Sequence, residues 1–203
     1  MKKILTSFFV LTLSFGVFAQ QFNLGKVSFA TDSVWIISGN GITQIWSDAV
    51  QTDSCSNKTS FAPGSCHWGY FADCRSNPDY KGDLFSWVAV RDFKNELCPY
   101  PWRVPTKQDF IDLDIAMGGT GNQRTDLEFV NSKYFGKWGG VLGGIAFYVE
   151  LFNQNIGAFY WSQSSDDSLR GGFSLWFGAD GHINTQSDDM ASQGSSLRCV
   201  RDN

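Results

Sequence analysis

The chain carries 16 basic and 20 acidic residues over 203 positions, a formal net charge of −4. That length predicts one domain of ordinary size. The acidic balance argues against nucleic acid, whose phosphates need a basic counterpart. Lys2 and Lys3 precede an apolar run from Ile4 to Phe18, and Val17-Phe18-Ala19 offers small residues at cleavage spacing, so residues 1–19 read as a secretory signal peptide. The run is shorter than the ~20 residues that span a bilayer, which disfavours an anchor and leaves no membrane span after signal removal. Losing Lys2 and Lys3 leaves 14 basic residues against 20 acidic ones, a net charge of −6. The mature domain, 20–203, is expected to be secreted or displayed on a bacterial surface. There, disulfides persist.

Five cysteines follow the signal: Cys55, Cys66 and Cys74 cluster, while Cys98 and Cys199 stand apart. The odd total leaves at least one of the first three free or paired between molecules. Zinc competes as a reading of the cluster, but no C-x-x-C pair is present and no metal or other cofactor is assigned.

In chain order, 20–33 reads as an extended lead-in. Ser33 to Ile37 and Ile42 to Trp46 read as two strands around Gly39-Asn40-Gly41, a hairpin signal. Gln51 to Gly82 is polar, glycine-containing and without a sustained period, which predicts a long loop region restrained by a disulfide. Asn57-Lys58-Thr59 matches a glycosylation sequon, which carries little weight because a short signal peptide of this type is equally bacterial. Asp83 to Val90 is apolar enough for burial, and its pattern fits helix or strand. Pro99, Pro101 and Pro105 then impose an extended approach to a helix capped by Thr106, with Asp109 three residues on. Phe110, Leu113 and Met117 share one face of it, broadened by Ile111 and Ile115, and Gly118-Gly119 ends it. A shorter helix is predicted from Leu127 to about Phe135, capped by Thr125 or Asp126. Ile145 to Leu151 reads as one strand.

The closing stretch reads as three strands. Phe173, Leu175 and Phe177 alternate with Ser174 and Trp176, which places Trp176 on the outer face. Asp180-Gly181 marks a hairpin turn, and His182 to Thr185 return with His182 and Asn184 outward. Gln186 to Gly194 has no apolar period and predicts a surface loop before the last strand, Ser196 to Asp202. A hairpin, loops, two helices and then strands make an α+β plan.

Two segments together resemble a known family. CPYPWRVPTKQDFIDLD resembles the central block of the Fibrobacter succinogenes major paralogous domain, and FYWSQSS with SSLRCVRDN resembles its closing blocks. KGDLFSWVAV fits the preceding aromatic segment. The match covers 80–202 and leaves 20–79 divergent. The resemblance implies a C-type lectin-like fold with two helices, a small twisted antiparallel sheet and long loops. It also implies a disulfide between Cys98 and Cys199, which would close a loop of about one hundred residues. The Glu-Pro-Asn, Gln-Pro-Asp and Trp-Asn-Asp triplets of calcium-dependent sugar binders are absent. Asp166-Asp167 and Asp188-Asp189 remain as carboxylates that converging loops would bring to a hard cation. A narrower resemblance is to lectin-like targets of diversity-generating retroelements, in which a segment such as 166–195 varies between fixed scaffolds.

These readings point to a ligand-binding module, an adhesin or receptor-like protein rather than an enzyme, for a protein or glycan ligand. The expected contacts are Asp167, Arg170, Ser174, Trp176, Ala179, His182, Asn184, Asp188 and Asp189, with Gly172 also compatible with variation. An aromatic anchor among adaptable polar groups is what interfaces concentrate. The alternatives are an oxidoreductase related to formylglycine-generating enzymes and a pilus-tip or phage-fibre subunit. Trp102 and Trp161 are assigned to the core. Arg103, Arg198 and Arg201 are assigned to salt bridges or carbonyl contacts.

Overall fold

The computed structural model describes residues 26–28, 34–53, 55, 74–77, 80, 82–147, 150–165 and 171–202. The signal segment, the sequon, Cys66, Asp166, Asp167 and Arg170 lie outside the described residues.

After β1 (Val27–Ser28) comes the expected hairpin of β2 (Trp35–Gly39) and β3 (Ile42–Ala49). Its Asn40-Gly41 turn takes φ of 51° and 77°, the two-residue geometry whose twist matches the flanking strands. The region predicted as loop contains β4 (Gln51–Thr52), which pairs with β1, and β5 (Cys74–Ser76), which pairs with β6 (Asp83–Ser86). The ambiguous Asp83 to Val90 run is therefore both structures. Ser86 ends β6 and caps α1 (Trp87–Asp92), its hydroxyl accepting from the Ala89 amide at 3.1 Å.

A short α2 (Lys94–Leu97) leads to α3 (Lys107–Ala116), which carries the expected capping box. Asp109 accepts from the Thr106 amide at 2.6 Å, and the Thr106 hydroxyl accepts from the Asp109 amide at 3.2 Å. The same carboxylate receives Arg103 Nη1 and Nη2 at 2.6 and 2.8 Å, while the Arg103 backbone bridges to Val200. β7 (Arg124–Thr125) follows. Asp126 caps α4 (Leu127–Phe129), which widens into a π-helix over Val130–Lys137. Val130, Tyr134 and Trp138, four residues apart, are all fully buried. A spacing of four keeps successive side chains on one face of the helix, which is the face turned to the core.

Ile145 to Leu151 is not a single strand: β8 (Ile145–Phe147) and β9 (Glu150–Phe152) pair antiparallel with each other. Then come β10 (Gly157–Trp161), β11 (Gly171–Gly178), β12 (His182–Met190), β13 (Gly194–Ser195) and β14 (Arg198–Arg201). The expected loop at Gln186 to Gly194 is corrected to strand as far as Met190. Those polar residues form a ladder with Gly171 to Ser174, so the partner's backbone rather than an apolar period makes them extended.

The strands form sheets in the orders β10-β11-β12-β7, β5-β6-β13-β8-β9 and β14-β3-β2, with the β1-β4 pair beside them. The architecture is mixed α/β, with mostly antiparallel sheets and few helices. One core is aromatic: Trp138 meets Trp46 and Tyr160 edge-on at 5.5 and 4.9 Å, and Tyr134 stacks on Phe177 at 4.7 Å. A second gathers Phe85, Trp87, Trp161 and Leu197 around the Cys98–Cys199 disulfide. Trp161 donates its indole N–H to the Phe85 carbonyl at 2.6 Å, as expected of a core tryptophan, whereas Trp102 is only partly buried under Arg201. A further disulfide joins Cys55 to Cys74. Two disulfides accord with an exported protein. Among the described residues no helix is long and apolar enough to cross a membrane.

Candidate functional site

Alternation along a strand sends successive side chains of β10, β11 and β12 to opposite faces. Ala158, Tyr160, Leu175, Phe177 and Ile183 enter the aromatic core. On the other face Phe159, Trp176 and Asn184 form one row, with Phe159 opposite Trp176 and Trp176 opposite Asn184. The Trp176 indole stacks on Phe159 at 5.8 Å and 6°, and on His182 at 4.1 Å and 31°. β10 and β12 flank β11, so the indole lies between Phe159 on one side and His182 on the other. The buried Gly157 lies beside the indole nitrogen, where an added Cβ would sit 3.3 Å from Trp176 Nε1.

His182 Nε2 lies 3.3 Å from the Gln123 amide nitrogen. Gln123 is brought there by β7, whose Thr125 pairs with His182. The β7 position is set in turn by Asp114 on α3. That carboxylate, fully buried, takes Arg124 Nη1 and Nη2 at 2.7 and 2.8 Å, the Tyr134 hydroxyl at 2.9 Å and the Gly121 amide at 2.7 Å. Burial and the Asp114 charge raise the Tyr134 hydroxyl well above its ordinary value, so it stays a proton donor to Asp114. Asn184 Oδ1 accepts from the Gln186 amide at 2.9 Å.

At the hairpin end Ala179 and Asp180 are exposed, Asp180 accepts from the His182 amide at 3.0 Å, and Gly181 takes the φ of 86° that the turn requires. Two exposed apolar side chains flank this turn. Ile156, 63% exposed, lies beside Ala179, and Leu127, 49% exposed, lies beside Gly181.

Among the described residues the structure thus gathers Trp176, Ala179, His182 and Asn184 at the hairpin and sets Ser174, Asp188 and Asp189 apart from them. Ser174 does not reach the surface: it is fully buried and its hydroxyl bonds the Asp189 carboxylate. Gly172 is closed to any side chain, since a Cβ would lie 2.0 Å from Trp87 Nε1. Phe173, expected in the core with Leu175, is half-buried, with the Lys107 ammonium 4.1 Å from its ring centre. Asp188 and Asp189, adjacent on β12 and paired with Phe173 and Gly172, point to opposite faces of the strand. Burial raises the Asp189 carboxyl against the lowering hydrogen bonds from Ser174 and Gln193. Asp188 is exposed. Among the described residues no group of three or more His, Cys, Asp or Glu side chains is placed to hold a metal ion.

Phe159 and Gln123 are the site residues that sequence reasoning missed. Phe159 had a usable signal: with Tyr160 inward, strand parity sends Phe159 outward. Gln123 had none, because its place depends on β7 joining β12. No family model, no curated protein and no solved structure matches the chain.

Proposed function

We propose that this is an exported binding protein of C-type lectin-like fold, an adhesin or receptor-like module for a protein or glycan. Its contact surface is the outer face of the β11–β12 hairpin. The observation that carries this reading is the half-buried Trp176 and His182 rings, backed by the buried Phe159, on the face turned away from the core. Three rings locked against one another lose little conformational freedom when a partner docks, and aromatic anchors of this kind concentrate binding energy. Ile156, Ala179 and Leu127 add an apolar rim, while Asn184 and Gln123 supply amide groups for orientation.

The test is capture of immobilised glycans and of surface proteins from co-resident cells by the mature chain, compared with a Trp176→Ala, His182→Ala double variant. The double variant should keep its fold and lose capture. Undiminished capture by the folded variant would remove this face as the site.

Diversification by a retroelement belongs to the same reading. The outward positions Trp176, Ala179, His182, Asn184 and Asp188 suit variation, and the buried Gly172 and Ser174 do not. Sequencing the gene in sibling isolates should find changes at the first set and none at Gly172. Uniform drift along the chain would end that part of the proposal.

A further inference from the structure

Tyr160, next to Phe159 on β10 and facing the opposite way, borders a cavity of about 220 Å³ whose walls include Trp35, Asp48, Ala49, Val141 and Arg198. Arg198 is 2% exposed. Its Nε donates to the Ser47 carbonyl at 2.6 Å and its Nη1 to the Trp138 carbonyl at 2.7 Å. The guanidinium carbon lies 4.4 Å from the Trp138 ring centre and 5.5 Å from that of Trp35. Those contacts satisfy two of its three nitrogens. Nη2 is buried with no hydrogen-bond partner, and so is the Trp35 indole Nε1. Buried donors are normally paired, so two orphans on the walls of one cavity call for an acceptor. The Tyr160 hydroxyl accepts from the Val141 amide at 3.1 Å, which leaves its own proton to donate.

We propose that this cavity binds a small monocarboxylate, one oxygen accepting from Arg198 Nη2 and the other from Trp35 Nε1. The hydrocarbon part then rests on Ala49, Val141 and the Tyr160 ring. Two orphan donors match two carboxylate oxygens. A phosphate dianion fits less well, because it needs more donors and carries more charge toward Asp48. Burial pushes Arg198 down to about 10, as expected of a cation whose contacts are carbonyls and rings. Both nitrogens lie beneath the cavity surface, so one wall must give. Trp35 is that wall: it is half-buried at the start of β2, and its ring rests on Gly139, where φ is 65° and a Cβ would come within 2.3 Å of it.

The test is titration of the mature chain with sodium isobutyrate, following the Trp35 indole N–H resonance, assigned by Trp35→Phe. Isobutyramide and sodium chloride at matched ionic strength serve as controls. Isobutyrate should give a saturable shift that neither control produces. Val141→Phe, which fills the cavity, should abolish the shift, and Arg198→Lys should weaken binding at least tenfold. Trp176→Ala, on the other face, should leave it unchanged, which separates this site from the hairpin surface. The proposal is overturned if isobutyrate gives no saturable shift, if the amide or chloride matches it, or if folded Val141→Phe binds as tightly as the parent. Should Arg198→Lys fail to fold, the parent and Val141→Phe titrations decide.

Discussion

Arg124 and Asp114 meet through two hydrogen bonds, at 2.7 and 2.8 Å, with the carboxylate fully buried and the guanidinium side chain 18% exposed. This pair ties α3 to β7, and β7 holds Gln123 against His182 at the edge of the aromatic stack. Replacing Asp114 by Ala strands both Arg124 and the Tyr134 hydroxyl. Breaking one side of such a pair typically costs about 3–5 kcal/mol. Urea denaturation should show a loss of that order, and a loss below 1 kcal/mol would mean the pair does not anchor β7.

Gly172→Ala should destabilise the domain more than Trp176→Ala, although it adds a single methyl. The new Cβ would lie 2.0 Å from Trp87 Nε1, which itself donates to the Ser162 carbonyl at 3.2 Å and has little room to retreat. Overpacking of this kind costs about 1–3 kcal/mol. Trp176 stands on the outer face and loses mainly its stacking on Phe159 and His182. Paired denaturation curves for the two variants settle the order.

Acidification toward pH 5 should stabilise the protein through Asp83. Burial pushes this carboxyl up to about 6, against a lowering hydrogen bond from the Thr52 amide. The folded state therefore binds the proton more tightly than the unfolded chain, so stability falls as pH rises through 6 and is regained as pH drops toward 4. The full swing is up to about 3 kcal/mol. Asp109 acts with the opposite sign. Burial alone would raise it, but the Arg103 and Thr106 hydrogen bonds outweigh that and hold it low, so its contribution is lost in more acidic solution. Urea midpoints measured from pH 7.5 to 5 should rise for the parent and rise less for Asp83→Asn. Superimposable profiles would show that Asp83 is not the titrating group.

Removing the Cys98–Cys199 disulfide should cost more than removing Cys55–Cys74. The bridges span 101 and 19 residues of sequence, and chain-entropy reasoning gives about 4.7 kcal/mol for the longer loop and about 3 kcal/mol for the shorter. Cys98→Ser, Cys199→Ser and Cys55→Ser, Cys74→Ser double variants, compared by denaturation, test that ranking. The reverse order would locate the dominant restraint in the N-terminal part.

What the sequence alone determined is local. The Asn40-Gly41 turn, the Thr106–Asp109 capping box, the Gly118 stop and the outward parity of Trp176 were all legible. Each depends on residues within a few positions, whose backbone preferences act without a partner. The tertiary structure alone decided the rest. Asp188 to Met190 are strand because Gly171 to Phe173 pair with them, and Ser174 is buried with its hydroxyl on the Asp189 carboxylate of the neighbouring strand. Phe159 reaches the candidate site only through a strand pairing spanning 17 residues, and Gln123 only through a side-chain contact with His182, 59 residues away. The orphaned Arg198 nitrogen exists because Ser47 and Trp138, 151 and 60 residues away, occupy the other two. Pairing and burial of this range are set by which surfaces meet once the chain has closed its loops, and no local pattern encodes them.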